Sequence, residues 1–172
     1  MYHSYYESPI GKIRIEADDE GITAVNFCEE CSCNDENSEI IKCKKQLDEY
    51  FHGKRKSFDL DIKLIKGTDF QLNVWKALSE IPYGEKVSYK YIAEKINNPK
   101  AVRAVGGANN KNPIAIIIPC HRVIGASGKM VGYAEGIDKK EFLLRLEEEN
   151  SWIKVHTKCA SEKSAKSRWK DC

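Results

Sequence analysis

A chain of 172 residues, 41% of them hydrophobic, can bury a core, which excludes a protein disordered throughout. Its 28 Lys and Arg against 26 Asp and Glu give a net charge of +2, which neither demands nor excludes a polyanionic partner. No apolar run approaches the roughly 20 residues that span a bilayer, and the start, Met1 to Tyr6, lacks the basic-then-apolar pattern of a secretory signal, so a soluble, cytoplasmic protein with reduced cysteines is expected.

Gly11 to Glu16 alternates, with Ile13 and Ile15 on one face and Lys12, Arg14 and Glu16 on the other, which predicts a half-buried strand. Asp18 to Gly21 is a turn and Ile22 to Phe27 a second strand, so the pair reads as a hairpin. Cys28, Cys31, Cys33 and Cys43 cluster, but Cys28-x-x-Cys31 has no second pair to complete a zinc site, and chance or opportunistic metal binding is the better reading. Ile40, Cys43, Lys44, Leu47, Tyr50 and Phe51 fall at helical spacing up to about His52, where Gly53 stops the helix. Phe58, Leu60, Ile62 and Leu64 then alternate with polar residues as a third strand. Residues 1–65 are thus a small α+β unit with no identifiable chemistry.

Ile65 to Gly67 reads as a joint to a second domain over residues 66–152. Thr68-Asp69-Phe70-Gln71 has the form of a capping box, and Phe70, Val74, Ala77 and Leu78 make the buried stripe of its helix, with Trp75 beside it. Ser88 opens a second helix with Tyr91, Ile92 and Ile96 on its apolar side, broken at Asn97-Asn98-Pro99. Lys100 to Ala108 restarts a helix of very small side chains around one long cation, Arg103, giving a helix-turn-helix. Two readings stay open here. Small side chains permit close approach to a nucleic-acid groove and its phosphates, or they serve helix–helix packing while Arg103 is solvated.

The β-branched run Ile116 to Ile118 predicts a buried strand ended by Pro119. Cys120, His121 and Arg122 follow at once. A nucleophilic thiol needs a nearby base or positive charge, so Cys120 with His121 is a candidate pair; the alternative is a buried apolar thiol. A third group must orient the imidazole. The downstream acids are Glu135, Asp138, Glu141 and the run from Glu147 to Glu149. Glu141, in the first turn of a helix opened by Asp138, could point at His121 or could complete a capping box with Asp138. Phe142, Leu143 and Leu146 face inward in that helix. Its acidic end, Glu147 to Asn150, opposes the helix dipole, so fraying is expected there. Residues 153–172 read as a basic, mobile tail.

Pro119-Cys120-His121-Arg122-Val123 resembles the active-site signature of the methylated-DNA–protein-cysteine methyltransferases, the O6-alkylguanine-DNA alkyltransferase family. Phe70-Gln71-x-x-Val74-Trp75, Ile81-Pro82-x-Gly84, Ser88-Tyr89, Ala101-x-Arg103 through Ala108, and Asn112-Pro113 also resemble family positions, in family order and spacing. The resemblance is strong over about residues 67–150; Ser8 to Gly11 is similar too, and the middle of the first domain only in outline.

The resemblance implies an α+β protein: a small ribonuclease-H-like domain followed by a winged-helix-like DNA-binding domain that carries the cysteine. It implies a monomer that repairs double-stranded DNA by direct reversal, without a cofactor or metal and with no membrane partner. Cys120 would take the alkyl group from O6 of a guanine flipped out on the minor-groove side, and the protein would be consumed. His121 would be the base acting through a water, Glu141 its orienting carboxylate, and Asn112 the brace of the turn around the cysteine. Tyr89 would help expel the base and donate to it, Tyr133 would line the pocket, and Arg103 would fill the gap left in the duplex. Ser88, Ala101, Ala104, Gly106 and Arg122 would make further contacts to DNA or substrate.

Two features depart from the family pattern. Tyr133 is followed by Ala134-Glu135-Gly136 where a small residue and two glycines are usual, so a carboxylate stands beside the pocket and the range of accepted alkyl groups is open. Cys28, Cys31 and Cys33 do not sit where the zinc ligands of some members lie. The other functions weighed are a non-catalytic lesion-binding relative, a redox-sensing helix-turn-helix regulator and a cysteine hydrolase. Cys120 opposes the first, since such relatives replace the nucleophile. No extra DNA-binding domain supports the second, and no oxyanion-hole loop the third.

Overall fold

The computed structural model describes residues 1–30, 32, 34–130, 132–157 and 168–170, with side chains described through Ser151. The chain divides into two compact units. One is Met1–Ile65 with Pro113–Ala115, and the other is Lys66–Asn112 with the chain from Ile116 through the last helix. The second unit is therefore not one continuous stretch.

The first unit is a sheet with one helix. Strands β1 (Tyr2–Ser8), β2 (Gly11–Ala17) and β3 (Ile22–Cys28) form an antiparallel meander. β4 (Asp61–Lys63) adds in parallel to β3 at Ile22↔Ile62, and β7 (Arg168–Lys170) in parallel to β4. The expected hairpin is β2–β3. β1 went unread because its sequence, YHSYYES, has no aliphatic alternation; in it only Ser4 is fully buried. Helix α1 (Ser38–Phe51) starts where the Asn37 side chain accepts from Ile40 N at 3.0 Å. It packs Ile40, Cys43, Leu47, Tyr50 and Phe51 toward the sheet. Phe58, Leu60, Ile62 and Leu64 are all buried as their alternation predicts, though only residues 61–63 join the ladder. Cys31 and Cys33 lie outside the described residues. Among the described residues no group of three His, Cys, Asp or Glu side chains could hold a metal ion.

The second unit begins with α2 (Asp69–Ser79). Its capping box is complete: Gln71 N donates to Thr68 Oγ1 at 3.2 Å and Thr68 N to Gln71 Oε1 at 3.0 Å. Trp75 is buried rather than flanking the stripe, and its Nε1 donates to Ala108 O at 2.8 Å, pinning α2 to α4 (Val102–Asn110). β5 (Val87–Ser88) runs into α3 (Tyr89–Lys95), where the Ser88 hydroxyl accepts from Tyr91 N at 3.0 Å. The tight turn between α3 and α4 holds Asn97 at φ 60°, a conformation asparagine tolerates better than most residues. Tyr91, expected on the apolar side of α3, is 47% exposed.

The strand expected at Ile116 to Ile118 is absent. Ile114 makes a single parallel bridge to Val25, and the chain then turns through residues 115–117, with Ile116 at φ 70°. All three isoleucines are buried, which is what the apolar run recorded; burial on every side does not distinguish a strand from a packed turn. A β-branched residue in left-handed backbone is strained, so the surrounding packing must hold it. β6 (Val123–Ile124) pairs in parallel with β5. Helix α5 (Ile137–Thr157) runs past the expected end at Asn150, and the residues read as a fraying terminus lie in its middle. The tail expected from residue 153 thus begins inside α5 and includes β7; its remaining residues lie outside those described. Among the described residues no helix is long and apolar enough to cross a membrane.

Candidate active site

Backbone geometry places the cysteine. Pro119 stands at φ −80° and ψ 64°, and Cys120 N donates to Ile118 O at 2.8 Å, an inverse γ-turn that suits the fixed φ of proline. A single 3₁₀ turn over Cys120–Arg122 follows, closed by Arg122 N to Pro119 O at 3.0 Å. Two asparagines brace it. Asn112 Nδ2 donates to Ile118 O at 2.8 Å, and Asn109 Nδ2, from the end of α4, donates to Cys120 O at 3.4 Å.

Cys120 is 5% exposed, and burial pushes its thiol up to about 11 against the smaller opposing pulls of the Asn112 side chain and the Lys140 ammonium. At neutral pH it rests as a thiol. His121 is fully buried; burial lowers its proton affinity more than the adjoining carboxylate restores it. The resting pair is therefore a neutral thiol beside a neutral imidazole, an acid and a base rather than a preformed ion pair.

The imidazole is oriented from one side. His121 Nε2 lies 2.6 Å from Glu147 Oε2, so Nε2–H donates to the carboxylate and Nδ1 is left as the acceptor. Nδ1 is buried and has no hydrogen-bond partner among the described residues. Glu147 also accepts from Arg122 Nε at 2.7 Å, Arg122 Nη2 at 3.1 Å and Gly84 N at 3.2 Å. Arg122 Nη1 donates to Ile81 O at 2.7 Å, and its guanidinium lies over the Tyr83 ring. Burial alone would raise the Glu147 carboxyl; His121 and Arg122 outweigh that and hold it well below the usual carboxylate range. Lys140, fully buried one helical turn before Leu143 and Leu144, donates to Val123 O at 2.6 Å.

Comparison with known proteins matches this architecture. The family model described as 6-O-methylguanine DNA methyltransferase, DNA binding domain, matches residues 69–149, and that of the ribonuclease-like domain matches residues 1–64. The methylated-DNA–protein-cysteine methyltransferase of Methanosarcina acetivorans is 54% identical over 154 residues, covering 86% of this chain and 98% of that protein. The namesake from Haemophilus influenzae is 43% identical, covering 86% of each. The crystal structure of Mycobacterium tuberculosis OGT in complex with DNA superposes with a TM-score of 0.81 at 45% identity, covering 87% of this chain and 94% of that one.

The chain belongs to the methylated-DNA–protein-cysteine methyltransferase family.

In this methyltransferase two expected roles must be reassigned. The carboxylate on His121 is Glu147, not Glu141. Six residues of helix are about 600° of rotation, which turns Glu141 roughly 120° away from Glu147, onto an exposed face with Arg145 and Glu148. Arg122, expected to contact DNA or substrate, is 7% exposed, and its guanidinium is engaged by Glu147 and Ile81 O. Glu147 and Lys140 were missed because charged residues in a helix are ordinarily solvated. A signal was present: Lys140 and Glu147 lie one turn before and after the Leu143–Leu144 stripe, so they prolong an apolar face.

The remaining residues lie as follows. Tyr133 is 8% exposed, and its hydroxyl is raised by burial and by the neighbouring Cys120 and Glu135. Tyr89, half-buried, reaches Gly132 O at 3.4 Å. Its hydroxyl is raised by burial and, to a lesser degree, by Cys120. Arg103 stands exposed in the first turn of α4 with Ala104, and Ala101 caps that helix half-buried. Gly106 passes the Tyr89 ring, which would stand 4.0 Å from a Cβ there. Ser88 serves as the cap of α3.

Proposed function

We propose that this protein repairs alkylated DNA by moving the alkyl group from O6 of guanine onto Cys120, once per molecule. The observation that carries the reading is a nearly buried thiol set on a rigid turn beside a neutral imidazole whose orientation Glu147 and Arg122 fix. When the alkyl carbon arrives, the thiol proton passes to His121 Nδ1 through one water. Sγ forms a bond to the carbon, and the C–O6 bond breaks with its electron pair on guanine. The proton then neutralises the departing base, for which Tyr89 is a suitable donor. The thioether has no leaving group that water could displace, so the thiol is not regenerated.

DNA engagement uses the outer face of α4. Its small side chains fit a narrow minor groove, and Arg103 fills the place of the extruded nucleotide, offsetting part of an unstacking cost of a few kcal/mol. Tyr133 packs against the flipped base. The protein acts as a monomer in the cytoplasm. Relatives named methylated-DNA–protein-cysteine methyltransferase at 43% and 54% identity support the chemistry, and the similar OGT solved with DNA supports the partner.

The test is stoichiometric. Protein is incubated with a duplex holding one O6-methylguanine, digested, and its peptides weighed. One methyl group on Cys120, absent in Cys120→Ala, is expected. More than one equivalent of guanine restored per protein overturns the single-use mechanism. Tight lesion binding without any modified peptide means a lesion-binding protein instead.

A further inference from the structure

Glu147 is met by a turn at the end of α2. Residues Ile81 to Gly84 leave that helix with Ile81 N on Leu78 O at 3.1 Å, and shortly beyond them Val87 pairs with Val123, next to Arg122. The turn is thus tied on one side to α2 and on the other to the chain just after the thiol. Three of its groups meet the buried cluster. Ile81 O accepts from Arg122 Nη1 at 2.7 Å, the Tyr83 ring lies against the guanidinium, and Gly84 N donates to Glu147 Oε1 at 3.2 Å. Arg122 Nε also donates to Oε1, at 2.7 Å, which leaves Oε2 to face His121.

Gly84 is also where the turn packs against α5. Ser151 follows Glu147 by four residues and so lies on the same face of the helix, one turn on. A Cβ at Gly84 would overlap Ser151 Oγ, lie 3.0 Å from Ser151 Cβ and stand 3.6 Å from Glu147 O. A hydroxyl can rotate out of such a contact, but a Cβ moves only with its backbone. Gly84 itself stands at φ 80°, a region that glycine enters without strain.

Resting on the alkyl-transfer reading above, we propose that Gly84 and Ser151 are a matched pair of positioning residues: with no side chain at 84, α5 seats Ser151 against the turn, and that seat sets Glu147 at the depth from which it orients the His121 ring.

The contacts of Glu147 are shared among three elements. The turn supplies Gly84 N, the 3₁₀ turn supplies His121 and Arg122, and α5 supplies the carboxylate. A glutamate side chain has several rotamers, so these bonds select one geometry only while α5 keeps its backbone at a fixed distance from the turn. The seat lies about 6 Å along the helix from Glu147, so a wedge there carries Glu147 with it. Gly84 N to Oε1, at 3.2 Å, is already at the long end for such a bond, and a further few tenths of an ångström would weaken it. The carboxylate is then free to turn from Nε2, and the imidazole loses the acceptor that fixes its tautomer. The cost falls on proton transfer. DNA binding is spared, because the seat is built from the turn and α5, whereas the face proposed for DNA is that of α4.

Transfer to Cys120 is followed under single-turnover conditions with an O6-methylguanine duplex at several concentrations, using full-length variants that circular dichroism shows to be folded. Gly84→Ala should lower the maximal rate constant about tenfold, since small misplacements far from the chemistry reach that size, and leave the half-saturating DNA concentration unchanged. Adding Ser151→Gly to Gly84→Ala should restore most of the rate, while the denaturation midpoint stays low because alanine still occupies a left-handed φ. That divergence separates the seat from backbone strain, which is the same in both variants. Ser151→Val wedges the same contact from the α5 side with a stiff, branched side chain. It should slow the maximal rate with Gly84 intact, and it decides the question if Gly84→Ala does not fold. The pair is overturned if both single variants transfer at the wild-type rate, if Ser151→Gly restores nothing, or if the loss lies in the half-saturating concentration instead. Wild type that transfers no methyl group refutes the alkyl-transfer reading beneath the proposal.

Discussion

Two charge clusters in this molecule use the same kinds of side chain to opposite ends. In the first unit, Lys63 Nζ bridges Asp18 Oδ2 at 2.8 Å and Glu20 Oε2 at 2.7 Å, with Glu20 64% exposed. In the second, Glu147 gathers His121 and Arg122, and all three side chains are buried. The first cluster keeps its water; it ties a turn to β4 and gains little, because solvent already satisfies its charges. The second loses its water. Each buried ion costs several kcal/mol in desolvation, and only the complete set of hydrogen bonds offsets that. A buried cluster is thus a poor way to gain stability but a good way to fix one geometry. What Glu147 and Arg122 fix is the orientation and tautomer of the His121 ring.

The largest effect should come from breaking the buried cluster. Glu147→Ala leaves the Arg122 guanidinium and the His121 Nε2–H buried without their acceptor, and chemical denaturation should show a loss of about 3–5 kcal/mol. Glu147→Gln keeps the shape but not the charge. Its transfer rate to an O6-methylguanine duplex, measured where circular dichroism shows it folded, should fall roughly ten- to a hundredfold. That is less than the ~10²–10⁴ lost with a general base itself, since the imidazole remains. Glu141→Gln should leave the rate unchanged. If Glu141→Gln slowed transfer while Glu147→Gln did not, the reassignment of the histidine's partner would be wrong.

The same contrast explains what could be read from the chain. Wherever burial is apolar and one-sided, periodicity reports it: Ile13 and Ile15 in β2, the α1 face from Ile40 to Phe51, and the Thr68–Gln71 capping box all lie where their pattern puts them. The proposed nucleophile was legible because Pro119 to Val123 resembles a known signature. Its surroundings were less so. Ile116 to Ile118 carried burial but not conformation, since a β-branched run does not record a φ of 70° at Ile116. Glu147 was hidden because three consecutive glutamates read as a solvated helix end. Only the fold shows that the first of them turns inward, where Arg122 and His121 pair it, while Glu148 and Glu149 stay exposed. Sequence shows polarity more readily than it shows which polar group has found a partner.

An intermediate effect should follow from pH. Burial lowers the proton affinity of His121 from 6.5, so the unfolded chain takes up a proton that the native one refuses. That contribution is full above about pH 6.5 and is lost as pH falls toward the lowered native value. Glu147 is held below 4.5 in the native state, so its contribution is full above that value and is lost as pH falls further. Both act in one direction. Denaturation midpoints should be level from about pH 7 to 8 and decline in two stages on acidification, each costing about 1.4 kcal/mol per pH unit while it lasts. Glu147→Gln should lose the more acidic stage. A midpoint that rose between about pH 6.5 and 5 would contradict the neutral, buried imidazole.

The smallest effect should come from the exposed cluster, and it completes the comparison. Lys63→Met removes the cation between Asp18 and Glu20 but leaves Asp18 Oδ1 accepting from Glu20 N at 2.8 Å and Gly21 N at 3.1 Å, so the turn keeps its backbone fixings. The Asp18 carboxyl, now held down chiefly by its Lys63 hydrogen bond, should titrate closer to the ordinary aspartate range. Any loss of stability should be visible only at low ionic strength. At about 1 M salt, where the Debye length is about 3 Å, the variant and wild type should denature together, while Glu147→Ala keeps its deficit because salt does not reach a buried pair. If salt erased the Glu147→Ala deficit as well, the two clusters would not differ in kind, and the buried network could not be what holds His121 in place.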